Sequence, residues 1–290
     1  MFTRIAYTWD LMKASWDVLK KDKGLLLFPL LSGVSCLAVL ASFAIPFWLT
    51  AAGRPHYSST GGSTSSQWHL GAAHYIVLFA FYFCNYFVIT FFNTAVIACA
   101  IERMRGGEPT IGYGFSIAAQ RLPLILGWSL VSATVGLVLR VIEERVDWVG
   151  ALVAGLLGMA WTMVSYLAVP VMVVEGTGPI TSLKESAQLL KQTWGEQIVS
   201  RFGFGAIFGI LSIPGIILIG GGVAAGISTQ SLTLGIFLVG LGIIYLLALS
   251  LVHSALQAIF QAAVYLYARE GQAAVPGFPV VLLQNAMGSK

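Results

Sequence analysis

The chain has 290 residues, of which 57% are hydrophobic and only 10% charged, and its mean hydropathy is +0.84. Soluble domains carry about 25% charged residues, so this composition excludes an ordinary soluble enzyme or binding domain and indicates a membrane protein. The net charge of +4 does not indicate a nucleic-acid partner, because no soluble stretch concentrates Lys and Arg with aromatic residues.

Six apolar runs are long enough to cross a bilayer. The hydrocarbon core is about 30 Å thick, so a spanning helix needs about 20 mainly apolar residues. We predict an all-α membrane protein, one membrane domain over 1–290, with spans at 25–51, 72–101, 121–141, 148–174, 202–228 and 232–268. Cys36, Cys84 and Cys99 fall inside these runs, where we expect small buried hydrophobes rather than disulfide partners or metal ligands.

Basic residues are unevenly distributed between the two sides of the predicted spans. Arg54, Arg140 and Arg145 lie on one side, whereas the other 13 of the 16 Lys and Arg residues lie in the N-terminal segment, the second and fourth loops and the C-terminal tail. Cytoplasmic loops carry an excess of Lys and Arg. We therefore predict that both termini face the cytoplasm. Loop 1, over 53–71, is rich in Ser and Gly and is predicted to be external.

Two segments outside the spans have the period of an amphipathic helix. Their apolar stripes consist of Phe2, Ile5, Trp9, Met12, Trp16 and Leu19 in segment 2–22, and of Ile180, Leu183, Ala187, Leu190, Trp194 and Ile198 in segment 180–199. We predict helices in the cytoplasmic membrane surface whose lysines contact lipid headgroups, namely Lys13, Lys20, Lys184 and Lys191. Packing of these stripes against the bundle is an alternative, and both arrangements can hold together.

The chain is predicted to contain three copies of one unit, a surface helix followed by a hairpin of two spans. The copies cover 1–101, 102–175 and 176–270, and a cytoplasmic tail follows at 271–290. Spans 2, 4 and 6 each end in a glutamate followed by glycines and a proline, at Glu102, Glu175 and Glu270. Ser15 and Lys20 align with Ser186 and Lys191, whereas the corresponding segment of the second copy is shorter and contains glycine. Sites in such pseudo-threefold proteins lie where the repeats meet.

Polar residues within the spans mark the candidate site, because polar groups are costly at membrane depth. Counted back from the three glutamates, Asn93, Tyr166 and Gln261 are equivalent, and so are Asn85 and His253. We predict a polar cavity lined by Asn85, Asn93, Tyr166, His253, Gln257 and Gln261. The alternative is that these groups hydrogen-bond across helices and fix their register.

Spans 5 and 6 are rich in glycine, with two G-x-x-x-G spacings at 205/209 and 222/226. Small residues let helix backbones approach closely, so we predict packing within the bundle, with a homo-oligomer interface as the alternative. Between spans 3 and 4, Arg140 and Glu144 have the spacing of an ion pair at a solvated helix end.

Catalytic chemistry is not expected. No span contains a nucleophile with a base, or a pair of carboxylates. His253 has no second His, Cys or carboxylate at ligand spacing. We therefore predict a protein that is not an enzyme and has no catalytic residue, cofactor or metal.

Several short motifs carry a resemblance to a known family. They are Trp16, Lys20, Asp22, Leu26, Phe28 and Pro29, then Phe91-Phe92-Asn93 with Ala95, then Val169-Pro170-Val171, Glu175-Gly176, Gly178-Pro179, Leu183-Lys184 and Ser186. Over nearly its whole length the chain resembles uncharacterised six-span integral membrane proteins of bacteria and archaea. These are distantly similar to the membrane domain that precedes the catalytic barrel of some glycerophosphodiester phosphodiesterases. The resemblance implies a prokaryotic cytoplasmic membrane, and it does not extend to the barrel, so we expect no hydrolysis.

The leading functional hypothesis is non-enzymatic binding or movement of lipid or another amphiphile at the cytoplasmic leaflet. It depends on surface helices suited to anionic lipid and on a polar layer on the same side of the membrane. The alternatives are a small-solute channel or carrier and a membrane-protein assembly or scaffold factor, for which glycine-rich faces are suited. Membrane lipids are the partners that the sequence suggests, besides a second copy of the chain if the glycine-rich spans 5 and 6 form an interface.

Overall fold

The computed structural model describes residues 2–51, 72–145, 148–194 and 204–270. Within these ranges the chain is helical and contains no β-strand. A 3-10 helix at Lys23–Leu26 separates the first two of the α-helices, which are α1 Phe2–Lys21, α2 Leu27–Ala51, α3 Ala72–Met104, α4 Ile111–Gln120, α5 Leu122–Arg145, α6 Trp148–Val164, α7 Ala168–Glu175, α8 Pro179–Trp194, α9 Phe204–Ser228 and α10 Leu232–Glu270.

Six stretches are long and apolar enough to span a membrane, which confirms the predicted all-α fold. They are Lys23–Ile45, Tyr75–Met104, Leu122–Glu143, Gly150–Glu175, Ile207–Ser228 and Leu232–Glu270. The protein is therefore a multi-pass membrane protein. The last helix, α10, has 39 residues, or about 58 Å at 1.5 Å per residue, and so extends well beyond the hydrocarbon core of a bilayer.

Helices that follow one another in the chain pack together, and α3 connects the resulting pairs. Contacts join α2 to α3, α5 to α6, and α9 to α10, while α3 also contacts α4, α5, α7 and α10. The surface helix α1 lies against α10, and α8 lies against α7, α6 and α5. The threefold repeat over 1–101, 102–175 and 176–270 remains a prediction.

Burial is concentrated at one end of the molecule. We call this end the packed half: it comprises α1, α4, α7 and α8, residues 95–104 of α3 and residues 251–270 of α10. Most side chains in 95–101, 167–173 and 255–266 are fully buried there. The open half comprises 30–45, 75–93, α6, α9 and 232–250. Its apolar side chains face outward, as Ile217 (64% exposed) and Phe237 (66% exposed) do.

Each predicted surface helix packs against the bundle through part of its apolar stripe together with a buried serine. In α1, Leu19 of the stripe and Ser15 beside it are buried, whereas Trp9 and Trp16 are 43% and 39% exposed. In α8, Leu190 of the stripe and Ser186 are likewise buried, whereas Ile180 is 53% exposed. Serines allow backbones to approach more closely than tryptophans do, so each contact face overlaps the predicted stripe without coinciding with it.

Glycines set the contact between α9 and α10. A methyl group at Gly222 would lie 2.9 Å from the backbone nitrogen of Val239, and one at Gly226 would lie 3.3 Å from the Cα of Gly235. At Gly205 and Gly209 no heavy atom of the described residues lies within 4 Å of that position. The glycines at 222 and 226 therefore pack one helix against another within the bundle, whereas those at 205 and 209 do not contact another described helix.

Some predictions fall on residues outside the described ranges. These include the external loop 53–71, the end of the second surface helix after Trp194, and the tail 271–290. At the end of α5, Arg140 donates a 3.2 Å hydrogen bond to Glu143. The predicted partner, Glu144, is one residue further along the chain, and its side chain is not described.

Candidate functional site: a polar cavity beside a break in span 4

The fourth span is interrupted between a helix of 17 residues and a helix of 8 residues. Helix α6 ends at Val164, α7 begins at Ala168, and the three residues between them form a turn. Pro170 has no N–H and therefore cannot bond the carbonyl of Tyr166, four residues earlier. The predicted span over 148–174 is confirmed as an apolar stretch long enough to cross a membrane, and its helix is broken at this point.

Two side chains from distant parts of the sequence bind the backbone groups at this break. The hydroxyl of Ser186, in α8, accepts a 2.9 Å hydrogen bond from the backbone N–H of Leu167. The side-chain amide of Gln261, in α10, donates to the carbonyl of Tyr166. Irregular backbone at membrane depth is stable only where protein buries it or where it lines a cavity, and both conditions are met here.

A cavity of about 310 Å³ lies against the break, between α2, α3, α6 and α10. Its polar lining residues are those that carry hydroxyl or amide groups, namely Ser32, Asn93, Thr162, Ser165, Tyr166, Ser254, Gln257 and Gln261. Its apolar lining consists of Pro29, Ile89, Phe92, Val96 and Ala258. Ile89 is 48% exposed, so the cavity is accessible from outside the helix bundle.

Four of the six residues predicted for a polar cavity line this one: Asn93, Tyr166, Gln257 and Gln261. They come from spans 2, 4 and 6, which are the spans that the predicted repeat relates to one another. Gln261 forms a hydrogen bond between helices, as the alternative interpretation of these polar residues proposes. Within the described ranges, no hydrogen bond involves the side-chain amides of Asn93 and Gln257, and both are directed at the cavity.

Asn85 and His253 lie outside the cavity. The Asn85 amide donates a 3.0 Å hydrogen bond to the carbonyl of Phe81 in its own helix. The His253 ring packs edge-on against Phe208 with 4.4 Å between the ring centroids. Each is eight residues from its cavity-lining counterpart, and eight residues turn an α-helix by about 80° beyond two full turns. The same eight residues also shift a side chain by about 12 Å along the helix axis, so Asn85 and His253 differ from the cavity residues in depth as well as in direction.

Little in the amino-acid sequence indicates the hydroxyl residues of the lining. Thr162 and Ser165 each donate to a carbonyl of their own helix, to Gly158 at 2.9 Å and to Trp161 at 2.7 Å. Hydroxyls in spanning helices commonly do so, so their presence does not distinguish a cavity from a helix surface. For the break between α6 and α7, the sequence feature that could have indicated it is Pro170.

A network of ion pairs holds the C-terminal end of α7. Arg269 donates to both carboxylate oxygens of Glu175, at 2.8 and 2.9 Å, and to Glu185 at 2.9 Å. The hydroxyl of Tyr265 also donates to Glu175, at 2.9 Å. The network joins α7, α8 and α10. Paired, charge-assisted hydrogen bonds of this kind fix geometry as well as contributing energy.

The same end of α7 is held from another side by Arg121. Its Nε donates a 3.2 Å hydrogen bond to the carbonyl of Val173, in the last turn of α7, where backbone carbonyls lack helical partners. A cation is also favoured there by the helix dipole. Gly176 then ends α7 with a φ of 65°, a conformation that glycine adopts without strain.

Each of the three glutamates at the ends of spans 2, 4 and 6 has a partner outside its own helix. The hydroxyl of Tyr113, in α4, lies 3.5 Å from Glu102, and burial together with this carboxylate raises the pKa of Tyr113. Glu270 pairs with Arg105, which follows α3, and Glu175 pairs with Arg269. These glutamates therefore connect the ends of spans 2, 4 and 6 rather than facing solvent alone.

The exposed face of α1 combines aromatic and basic side chains. Lys13 Nζ lies 6.0 Å from the ring centroid of Trp9, and Lys20 Nζ lies 5.8 Å from that of Trp16. Trp and Lys side chains of this kind suit the headgroup level of a bilayer. On α8, the other predicted headgroup contacts, Lys184 and Lys191, are also exposed.

Comparison with known proteins identifies the family but no activity. No curated protein and no solved structure matches the chain. Residues 72–275 match a family model, and this range contains α3 to α10 and hence most of the cavity. The protein therefore belongs to the family of unknown function DUF6159.

Proposed function

We propose that the protein binds lipid or another amphiphile at the cytoplasmic leaflet of a prokaryotic inner membrane and catalyses no reaction. The observation that carries the proposal is the accessible cavity of about 310 Å³ beside the broken span. Both termini and the packed half face the cytoplasm in this proposal, as the distribution of basic residues indicates.

The lining of the cavity suits a molecule that is polar at one end and apolar at the other. Asn93 and Gln257 present amides, whereas Ile89, Phe92 and Val96 present apolar side chains. Ligand sites are typically apolar clefts with a few polar groups that fix orientation. The headgroup and first chain atoms of a lipid meet this description.

The exposed face of α1 supports binding at the membrane surface. Trp9 and Trp16 are suited to the headgroup level, and Lys13 and Lys20 are attracted to anionic lipid, with a contribution of about 1 kcal/mol for each basic residue near the surface. Helix α1 contacts α10, which also lines the cavity. Surface contact and cavity are therefore parts of one structural unit in this proposal.

Native mass spectrometry of the protein purified from lipid vesicles tests the proposal. We expect the wild-type protein to retain lipid, and the double variant Asn93→Leu with Gln257→Leu to retain several-fold less. The variant Asn85→Leu removes an amide from the same helix but outside the cavity, and we expect it to behave as wild type. Absence of retained lipid from the wild-type protein would contradict the proposal.

A small-solute carrier is the second candidate, and the interrupted span favours it. Many transporters place their substrate sites where discontinuous helices expose backbone groups near the middle of the membrane, and α6 and α7 form such a helix. Solute flux into reconstituted liposomes distinguishes the two, because a lipid-binding protein should show none. The similarity to the membrane domain of glycerophosphodiester phosphodiesterases remains a prediction, and we propose no hydrolysis from it.

A further inference from the structure

None of the described side chains that line the cavity carries a charge. A phosphate group placed there would lose its hydration without gaining a cationic partner, and unpaired charge within a bilayer is costly. Phosphate sites in proteins use Arg or Lys, which form short charge-assisted hydrogen bonds. The lining therefore disfavours a phosphorylated headgroup.

The hydrogen-bonding groups of the cavity are divided between donors and acceptors. The amides of Asn93 and Gln257 can each donate and accept. Thr162 and Ser165 already use their protons on backbone carbonyls of α6, so their hydroxyl oxygens are left as acceptors. Hydroxyl groups of a ligand both donate and accept, and they match this mixture better than a group that only accepts, such as phosphate.

Positive charge lies elsewhere, on the exposed face of α1. Lys13 and Lys20 sit over tryptophan rings at that surface and do not line the cavity. Anionic phospholipid therefore has an attractive surface outside the cavity. The basic face of α1 therefore suits anionic phospholipid, whereas the uncharged cavity suits a neutral lipid.

From these observations we infer that the cavity binds an uncharged headgroup that bears hydroxyls, supplied by a neutral glycerolipid such as diacylglycerol, which has one free hydroxyl, or a glycosyl-diacylglycerol, which has several. This inference rests on the proposed lipid-binding function and names its ligand class. Asn93 and Gln257 hydrogen-bond the hydroxyls, and Phe92 and Val96 contact the adjoining glycerol and acyl carbons.

The test uses full-length protein in vesicles that contain phosphatidylglycerol, diacylglycerol and galactosyl-diacylglycerol in equal amounts, followed by native mass spectrometry. We expect the retained lipid to be enriched at least fivefold in the neutral species. The Asn93→Leu, Gln257→Leu variant should lose this enrichment and keep its phosphatidylglycerol. The Lys13→Ala, Lys20→Ala variant should keep the enrichment in neutral lipid and lose phosphatidylglycerol. The Asn85→Leu variant should match wild type in both.

The outcomes separate failure of this inference from failure of the proposed function. Preferential retention of phosphatidylglycerol would overturn the neutral headgroup and leave lipid binding intact, whereas absence of every lipid would overturn both. Neutral lipid retained equally by the double cavity variant would overturn the cavity as its site. Circular dichroism spectra and melting curves identify a variant that fails to fold, and Asn93→Gln, which keeps the amide, then replaces the leucine variant with a smaller expected loss.

A competition arm distinguishes a lipid headgroup from a free solute of the same chemistry. Methyl galactoside and glycerol are added in millimolar excess to the lipid-loaded protein. We expect neither to displace the neutral lipid, because neither replaces its acyl contacts. Displacement by methyl galactoside would support hydroxyl recognition in the cavity but would contradict the lipid as its source and favour the carrier.

Discussion

The packed half and the open half of this protein are built from the same spanning helices, but different contacts hold them together. In the packed half, residues 95–101 of α3 and 255–266 of α10 are enclosed by α1, α4 and α8, and ion pairs join the ends of the spans. In the open half, α9 and the first part of α10 touch mainly each other, through glycines.

This difference shows what stabilises a membrane protein when lipid and side chains are equally apolar. Between spanning helices the hydrophobic effect gives little net attraction, so close packing and hydrogen bonds decide stability. The packed half has both, including ion pairs between helices. In the open half, the glycine contact between α9 and α10 is joined by a 2.7 Å hydrogen bond from the Tyr245 hydroxyl to the carbonyl of Leu211, and many side chains face lipid. The cavity lies where the two halves meet, beside the break in span 4.

The largest expected effect is on the packed half, from Gly114→Leu in α4. A Cβ at this position would lie 2.7 Å from the Phe28 ring and 2.8 Å from Cys99 Sγ. We expect a loss of about 3 kcal/mol in the free energy of unfolding, because the neighbouring helices cannot move apart without losing other contacts. In Gly112→Leu the new Cβ would have its nearest described neighbour at 3.8 Å, so this variant is the matched control. Equal stability of the two variants in unfolding titrations with mixed detergent would contradict the tight packing described here.

The next effect concerns the boundary between the halves, where Gln261→Leu removes the donor to the Tyr166 carbonyl. A buried polar group left without its partner costs about 1–3 kcal/mol, and we expect about 2 kcal/mol here. The melting temperature in detergent measures the effect. Gln257→Leu, one turn away on the same helix, removes a cavity-lining amide instead and should change stability by no more than about 0.5 kcal/mol. If both variants have the same melting temperature, the hydrogen bond from Gln261 to Tyr166 does not stabilise the helix break.

A smaller effect is expected in the open half, where Gly222→Ala places a methyl group 2.9 Å from the backbone nitrogen of Val239. Alanine also has the better helix propensity, so the informative quantity is the difference from Gly209→Ala, which meets no described atom within 4 Å. We expect Gly222→Ala to be about 1 kcal/mol less stable than this control. Unfolding by SDS provides the comparison. A difference near zero would mean that α9 and α10 can move apart to accommodate the methyl group with little loss in the free energy of unfolding.

The smallest effect is expected at the rim of the packed half, from Arg105→Ala. Arg105 and Glu270 form an ion pair and are 43% and 39% exposed. Pairs of this exposure typically contribute about 0.2–1 kcal/mol and are screened by salt. We expect a loss of about 0.5 kcal/mol at low ionic strength that disappears in high KCl. A larger, salt-independent loss would assign this pair a structural role comparable to that of the network around Arg269.

Apolar length was sufficient to predict the six spans, but it did not predict the break in span 4. A proline inside a span is not decisive, since Pro214 lies within α9 and that helix continues through it. At Pro170 the outcome depends on Ser186 and Gln261, which lie far along the chain and supply the hydrogen bonds at the break. The residues around Pro170 do not indicate such hydrogen-bond partners, because only the packing of the helices brings them close to the break.

The apolar pattern predicted only part of the face that α1 presents to the bundle. Leu19 of the predicted stripe is buried together with Ser15, but Trp9 and Trp16 of the same stripe are exposed. Polarity within the spans did identify Asn93, Gln257 and Gln261. It did not separate them from Asn85 and His253, because the polarity of a residue carries no information about where a cavity lies along the helix or around it.

The bond between Gln261 and the Tyr166 carbonyl makes two positions in the sequence depend on one another. Gln261 has an acceptor because Pro170 leaves that carbonyl without an N–H from its own helix. A residue other than proline at position 170 would restore the helical bond and remove the need for an amide at position 261. In an alignment of the family, we therefore expect these two positions to covary, with glutamine accompanied by proline and apolar residues by its absence. If the two positions vary independently, other interactions stabilise the helix break in the fourth span of these proteins.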